Sequence, residues 1–273
     1  MTARIILPSN LKPSVQSFVQ EQDFAARQYR GKRDNQEDYY AFADAADQNE
    51  NSLESLLLVV GDGLGAHAGG SVASYIGVNA FVRAFLEHPG SVSWRLRTAL
   101  DTANDTLGYI TSKMPSVAPP MGTTMLSVLA SNHHIEWISV GDSPLFLYRE
   151  GKLHRLNADH SLTPILEERV KQGLMTAEEA AAHPDRHTLQ SALLGYPMAL
   201  IDFPKEPLAV KSGDIIIAAS DGIFTLSDKT LEELLGFGRH TTADKITDAI
   251  LFAIRRINYE RQDNATIGVI KIP

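Results

Sequence analysis

Four aspartates share one local setting: each stands at the end of an apolar stretch with the look of a β-strand. Asp38 opens Tyr39-Tyr40-Ala41-Phe42, and Asp62 closes Leu56-Leu57-Leu58-Val59-Val60-Gly61. Asp221 closes Ile215-Ile216-Ile217-Ala218-Ala219-Ser220, and Asp263 precedes Asn264 and a final apolar run. Side chains at strand ends sit on rigid supports and can converge on one rim of a packed sheet. Carboxylates gathered at the edge of a dry core are strongly unfavourable unless a cation neutralises them. A set of oxygen-only ligands selects the hard ions Mg²⁺ and Mn²⁺. Two such ions about 3.5–4 Å apart can hold a water between them, lower its pKa and polarise a phosphoryl oxygen. This chemistry suits hydrolysis of a phosphate monoester.

Glycine follows two of these aspartates, in Asp62-Gly63 and Asp221-Gly222. It lets the chain turn sharply and lets its carbonyl approach a metal. Either pair alone reads as an ordinary turn; two pairs after long apolar strands, with Asp38 and Asp263, read as metal ligands. Arg33 lies five residues before Asp38, and its planar guanidinium matches the oxygens of a phosphate.

The elements that must hold these residues are legible in outline. Strand patterns occupy residues 38–43, 56–60, 123–130, 135–140, 145–148, 152–156, 215–219 and 265–272. Glu150-Gly151 falls between two of them as a hairpin turn. Helical periodicity covers 70–86, 93–114, 164–172, 176–182, 227–235 and 243–256. Thr176 and Glu179 have capping-box spacing, and Ser227 is a second N-cap. Strands and helices come in clusters rather than in strict alternation, which favours antiparallel sheets with helices packed outside them. Residues 1–23 read as a polar N-terminal extension, residues 24–273 as one domain, and 115–120 as a loop.

Composition narrows the function classes. The chain has 273 residues, 44% of them hydrophobic, enough for a substantial core. It has no cysteine, which excludes disulfides, thiolate metal sites and cysteine nucleophiles and fits a reducing compartment. A net charge of −8 argues against a grip on nucleic acid. No apolar run is long enough to span a membrane, and no secretory signal opens the chain. The expectation is a soluble cytoplasmic protein acting as a monomer.

In order, the chain carries Arg33 with Asn35-Gln36-Glu37-Asp38, then Gly61-Asp62-Gly63-Leu64-Gly65-Ala66-His67-Ala68-Gly69-Gly70 and Met121-Gly122-Thr123-Thr124. Gly141-Asp142-Ser143, Asp159-His160-Ser161, Ser220-Asp221-Gly222 and Asp263-Asn264-Ala265-Thr266 follow. From about Gln28 to Ile272 the chain resembles the metal-dependent protein phosphatases of the 2C type in their bacterial form. The resemblance implies an α+β fold, a four-layer α-β-β-α sandwich of two antiparallel sheets flanked by helix pairs. It also implies two Mn²⁺ or Mg²⁺ ions, bridged by Asp62. The Gly63 carbonyl binds one ion, Asp221 and Asp263 bind the other, and Asp38 binds directly or through water. Glu37 stands behind the ligands, Arg33 holds the substrate phosphate, and Asp142 joins Asp221 at a third, weaker site. The implied activity is hydrolysis of phosphoserine and phosphothreonine in proteins by the metal-bridging water, countering a Ser/Thr kinase. Residues 162–194 resemble the family's flap, a mobile segment beside the active site that is expected to select protein substrates.

The chain departs from the pattern in places. Leu64 stands where animal members carry a histidine assigned as general acid. Pro144 replaces a common arginine, and Thr225 replaces an aspartate that some relatives place near the third metal. His67, His160 and Thr123-Thr124 read as structural, His133-His134 as a turn, and Met125 and Trp137 as core. Two competing functions keep the same fold: a catalytically weak signalling or binding module, and a hydrolase of small phosphoesters.

Overall fold

The computed structural model describes residues 5–6, 18–45, 55–65, 69–113 and 121–273. His67, the loop at 115–120 and most of the N-terminal extension lie outside them. Twelve strands are formed among the described residues: β1 Ile5–Ile6, β2 Phe24–Tyr29, β3 Asp38–Asp44, β4 Leu56–Leu64, β5 Gly122–Thr123, β6 Met125–Ala130, β7 His134–Val140, β8 Leu145–Arg149, β9 Lys152–Arg155, β10 Leu208–Ala209, β11 Ile215–Ala219 and β12 Ala265–Lys271. The helices are α1 Gly69–Glu87, α2 Val92–Lys113, α3 Thr163–Lys171, α4 Ala177–Ala181, α5 Asp228–Gly238 and α6 Ala243–Ile257, with a 3-10 turn at Asp221–Thr225. The strands build two antiparallel sheets. One runs β1-β3-β4-β6-β7-β10 with β5 paired to β4, and the other runs β2-β12-β11-β8-β9.

The apolar runs are continuous because both faces of the central strands are covered. On β4, Leu57 and Val59 pack under α1 and α2, while Leu56, Leu58 and Val60 face the second sheet. On β11, Ile216 and Ala218 join that inter-sheet core, while Ile215, Ile217 and Ala219 lie under α5 and α6. The four layers are therefore helix pair, sheet, sheet, helix pair, as the resemblance implied. α6 shows why its helix forms: Ala243, Ile246, Thr247, Ile250, Leu251 and Ile254 make one buried stripe, and Asn258 ends it in the left-handed region at φ 50°. Among the described residues no helix is long and apolar enough to cross a membrane.

Local signals were mostly realised. Glu150 and Gly151 both take positive φ, 53° and 83°, as a two-residue hairpin between β8 and β9 requires. The Thr176–Glu179 capping box is present in both directions, and the Ser227 hydroxyl accepts from the Thr230 N–H. Several features differ from the sequence reading. β4 continues past Asp62 to Leu64 by pairing with β5, and the short strands β1 and β10 were not expected. The strand expected over 123–130 is split at Thr124, whose N–H and hydroxyl are committed to the backbone of Asp62. β2 was not anticipated: its Ala, Arg and Gln have weak strand propensity, yet it pairs with β12 over six positions and buries Phe24 and Ala26. Residues 18–23, expected within the extension, are packed in. Phe18 is buried in the inter-sheet core, and the carbonyls of Glu21 and Gln22 accept the first N–H groups of α6.

Candidate active site

The rim that the four aspartates share lies at one end of the sandwich. Asp38 and Asp62 are direct partners across β3 and β4. Asp221 follows β11 and Asp263 precedes β12, neighbouring antiparallel strands of the other sheet. The two sheets thus deliver two carboxylates each, and Asp142, in the turn between β7 and β8, joins them. Four of the five carboxyls are raised by burial and by neighbouring carboxylates. Burial pushes the Asp62 carboxyl well above its ordinary range, reinforced by Asp38, Asp221, Asp142 and Asp263. Asp221 is pushed up to about 8 by burial and then by Asp142, Asp263 and Asp38. Asp142 is raised to about 6 by burial and by Asp159. Asp38 reaches about 6 through burial, held back by two hydroxyl donors.

Those hydroxyls fix how Asp38 points. Ser220 and Thr266 both donate to its Oδ2 at 2.7 Å, while Oδ1 is buried without a partner. Oδ1 of Asp221 is orphaned in the same way. A buried acceptor without a donor is rare and costly in a folded protein. Two of them on one rim, among carboxylates that raise one another's pKa, fit a hard divalent cation. Among the described residues no three carboxylates or histidines close on one point as a ready-made cage; instead Asp263 is turned onto Arg33, which donates to its Oδ2.

The backbone behind the rim is tightly tied. Asp62 donates through its N–H to the Thr124 hydroxyl at 2.9 Å, and its carbonyl accepts from Thr123 Oγ1 at 3.0 Å and Thr124 N at 2.8 Å. The tandem threonines are therefore the clamp on Asp62. Gly63 and Gly222 both have negative φ, so they are required by close approach rather than by a left-handed turn. A Cβ on Gly63 would meet the Gly70 carbonyl at 2.1 Å, and one on Gly222 the Asn264 carbonyl at 2.0 Å. The Glu37 carboxyl lies against Gly70 in the first turn of α1, a position the helix dipole favours for negative charge. His160, its imidazole pKa lowered by burial, accepts from Gly141 N at 3.2 Å through Nδ1 and so holds the turn that carries Asp142.

Besides Ser220 and Thr266, two more positioning groups escaped the sequence reading. Gln262, 3% exposed, donates to the carbonyls of Gly222 and Asp263 and accepts from Thr225, which ties the Asp221 and Asp263 segments together. Asn264, 4% exposed, accepts from Glu37 N at 2.7 Å and donates to the carbonyls of Arg30 at 2.7 Å and Asn35 at 2.9 Å. It pins the loop that carries Arg33 beside Asp263. Asn264→Ala leaves one buried N–H and two carbonyls without that partner. It is expected to cost about 1–3 kcal/mol, read as a fall in melting temperature of roughly 3–10 °C, and an unchanged melt would contradict this account of the loop.

A cleft of about 940 Å³ opens from the rim. Asp142, Asp221 and Asp263 stand at its floor, with Pro164 and His187 on the wall made by the 162–194 segment. The far wall comprises the 3-10 turn and the segment after α6, including Phe224 and Tyr259. The 162–194 segment is fastened at its ends by bridges Ser161–Leu189 and Thr123–Leu193, and α3 rests on the buried Leu166.

Comparison with known proteins agrees with this fold. The family model for protein phosphatase 2C matches residues 30–243. The serine/threonine protein phosphatase PstP of Mycobacterium tuberculosis is 30% identical over 216 residues, covering 78% of this chain and 38% of that protein. The chain thus corresponds to well under half the length of that relative. The serine/threonine phosphatase stp of Listeria monocytogenes is 27% identical over 229 residues, covering 81% of this chain and 86% of that one. Among solved structures, the catalytic domain of PstP in complex with two manganese ions superposes with a TM-score of 0.70 at 26% identity, over 91% of this chain and 96% of that one. With a matching family model over most of its length and the fold and carboxylate rim in place, the chain belongs to the protein phosphatase 2C family.

Proposed function

We infer that this chain is a Mn²⁺- or Mg²⁺-dependent phosphatase that hydrolyses phosphoserine and phosphothreonine in proteins. The observation that carries the reading is the pair of orphaned buried oxygens, Oδ1 of Asp38 and Oδ1 of Asp221, on a rim shared with Asp62, Asp142 and Asp263, of which Asp142, Asp221 and Asp263 line the cleft. Asp62, Asp38, Asp221 and Asp263, with the Gly63 carbonyl, are the residues that would hold two ions; Asp142 with Asp221 would hold a third, weaker one. When bound, the ions neutralise the phosphoryl oxygens and supply a water of lowered pKa as nucleophile. The structure of the PstP catalytic domain in complex with two manganese ions supports this choice of cation.

Arg33 is the group that grips the phosphate. Its pair with Asp263 is solvent-exposed, with side-chain exposures of 57% and 34%, so the contact is worth only about 0.2–1 kcal/mol. A dianionic phosphate competes for that guanidinium with little opposition. Glu37 and Asn264 hold the Arg33 loop, and Ser220 and Thr266 aim Asp38. The substrates are phosphoproteins, with a Ser/Thr kinase or its targets as partner, and the enzyme works in the cytoplasm as a monomer, in keeping with a chain without cysteine.

The test is phosphate release from a phosphothreonine peptide with and without Mn²⁺. Release is expected to vanish in EDTA and return on adding Mn²⁺. Turnover that persists unchanged in EDTA-treated protein would sink the proposal.

A further inference from the structure

The cleft is far larger than a phosphate needs, and its charge away from the rim has the opposite sign to the chain as a whole. Arg186, on the wall made by the 162–194 segment, and Arg261, after α6, both line it. Neither has a carboxylate partner among the described residues. Arg186 donates only to the Ala181 carbonyl through Nη1, and its Nε is buried and unpaired. The other arginine in the cleft, Arg155, is already neutralised by Asp159 at 3.2 Å, and its guanidinium lies 5.6 Å from the ring centre of Phe224. Set against the two uncommitted arginines is one carboxylate outside the rim and that pair, the exposed Glu167. In a protein of net charge −8, two arginines without a carboxylate partner lining the approach to an acidic centre form a local positive gate.

The same cleft has an apolar side. Phe224, Ile257 and Tyr259 line it and are 44%, 53% and 52% exposed. Arg155 braces Phe224, so this wall is held in place rather than collapsed into the core. A wall of large apolar side chains suits the aliphatic stems and backbone of an extended peptide. The arginines then decide which peptide.

Resting on the phosphatase reading above, we propose that the cleft selects phosphopeptides with acidic residues next to the phosphorylated residue, through Arg186 and Arg261. A carboxylate beside the phosphoresidue meets one of the two guanidinium groups, and a lysine there meets repulsion. Selection acts mainly on KM and on encounter, because the contacts are formed before any bond to phosphorus changes.

The test uses three phosphothreonine peptides of equal length, with Glu, Ala or Lys at the two positions on each side, assayed with Mn²⁺ at low and high salt. The wild-type protein is expected to favour the Glu over the Lys peptide on the order of tenfold in kcat/KM, carried by KM and shrinking with salt. In the double variant Arg186→Ala/Arg261→Ala the ratio should approach one. In Arg186→Lys/Arg261→Lys, which keeps the charge, most of it should return. The ratio is taken within each protein, so a general loss of activity does not disturb it. Equal rates on all three peptides with the wild-type protein, or a ratio that survives the double alanine variant, overturn this inference and leave the phosphatase reading standing. Hydrolysis of none of the peptides overturns both.

Discussion

Asp62→Asn and Asp221→Asn are each expected to lower kcat/KM on a phosphothreonine peptide by more than about 10³-fold, with loss of tight Mn²⁺ binding. Groups that merely orient a metal ligand typically cost tenfold to a hundredfold when removed; a direct ligand shared by the rim must cost more. The amide is nearly the size of the carboxylate, so packing around β4 and the 3-10 turn is preserved, and only charge and one acceptor oxygen are lost. Calorimetric titration with Mn²⁺ separates this from a substrate defect. Both variants should show weakened metal binding in the absence of any peptide. Arg33→Ala makes the contrast: it should raise KM while Mn²⁺ still binds, because Arg33 is an exposed partner of Asp263 rather than a ligand. Full Mn²⁺ affinity in Asp221→Asn would remove that residue from the proposed ligand set.

The aspartates could be found in the sequence because their signal is local. An apolar run long enough to cross the sandwich reaches the rim, and the polar residue that breaks it lies there, at the start of β3 for Asp38 and inside β4, which runs on to Leu64, for Asp62. The same holds for the Thr176–Glu179 capping box and the Glu150-Gly151 turn, whose partners lie within a few residues. What the sequence could not reveal depends on pairs far apart in the chain. Ser220 and Thr266 meet Asp38 across separations of 182 and 228 residues, and nothing in either neighbourhood marks a hydroxyl as the one that will aim a carboxylate. Thr124 interrupts a run that reads as one strand because its hydrogen bonds go to Asp62, 62 residues earlier. β2 was hidden for a related reason. It is an edge strand whose stability comes from β12 and from α6 packed over it, so its own propensity carries little of the information.

Metal-free protein is expected to lose stability as pH rises from 5 to 8, with a fall in melting temperature on the order of 10 °C. The sign follows from the rim. Asp62 and Asp221 have carboxyls raised in the folded state, Asp221 to about 8, and Asp38 and Asp142 to about 6. In the unfolded chain each titrates near the ordinary value of about 3.9. Below that value both states carry the protons, and the rim costs the fold little. As pH rises the unfolded chain releases protons first, so the folded state is penalised progressively until its own carboxyls ionise, for Asp38 and Asp142 near pH 6 and for Asp221 near pH 8. Divalent cations reverse the penalty by neutralising the same charges, so Mn²⁺ should raise the melting temperature most at pH 8 and least at pH 5. Asp221→Asn, which removes one of the repelling charges, should melt above wild type at pH 8 without metal even though it is inactive. Thermal melts of EDTA-stripped protein across this range decide the matter. A wild-type melting temperature that holds or climbs toward pH 8 would mean that the carboxylates do not crowd one another as the fold requires.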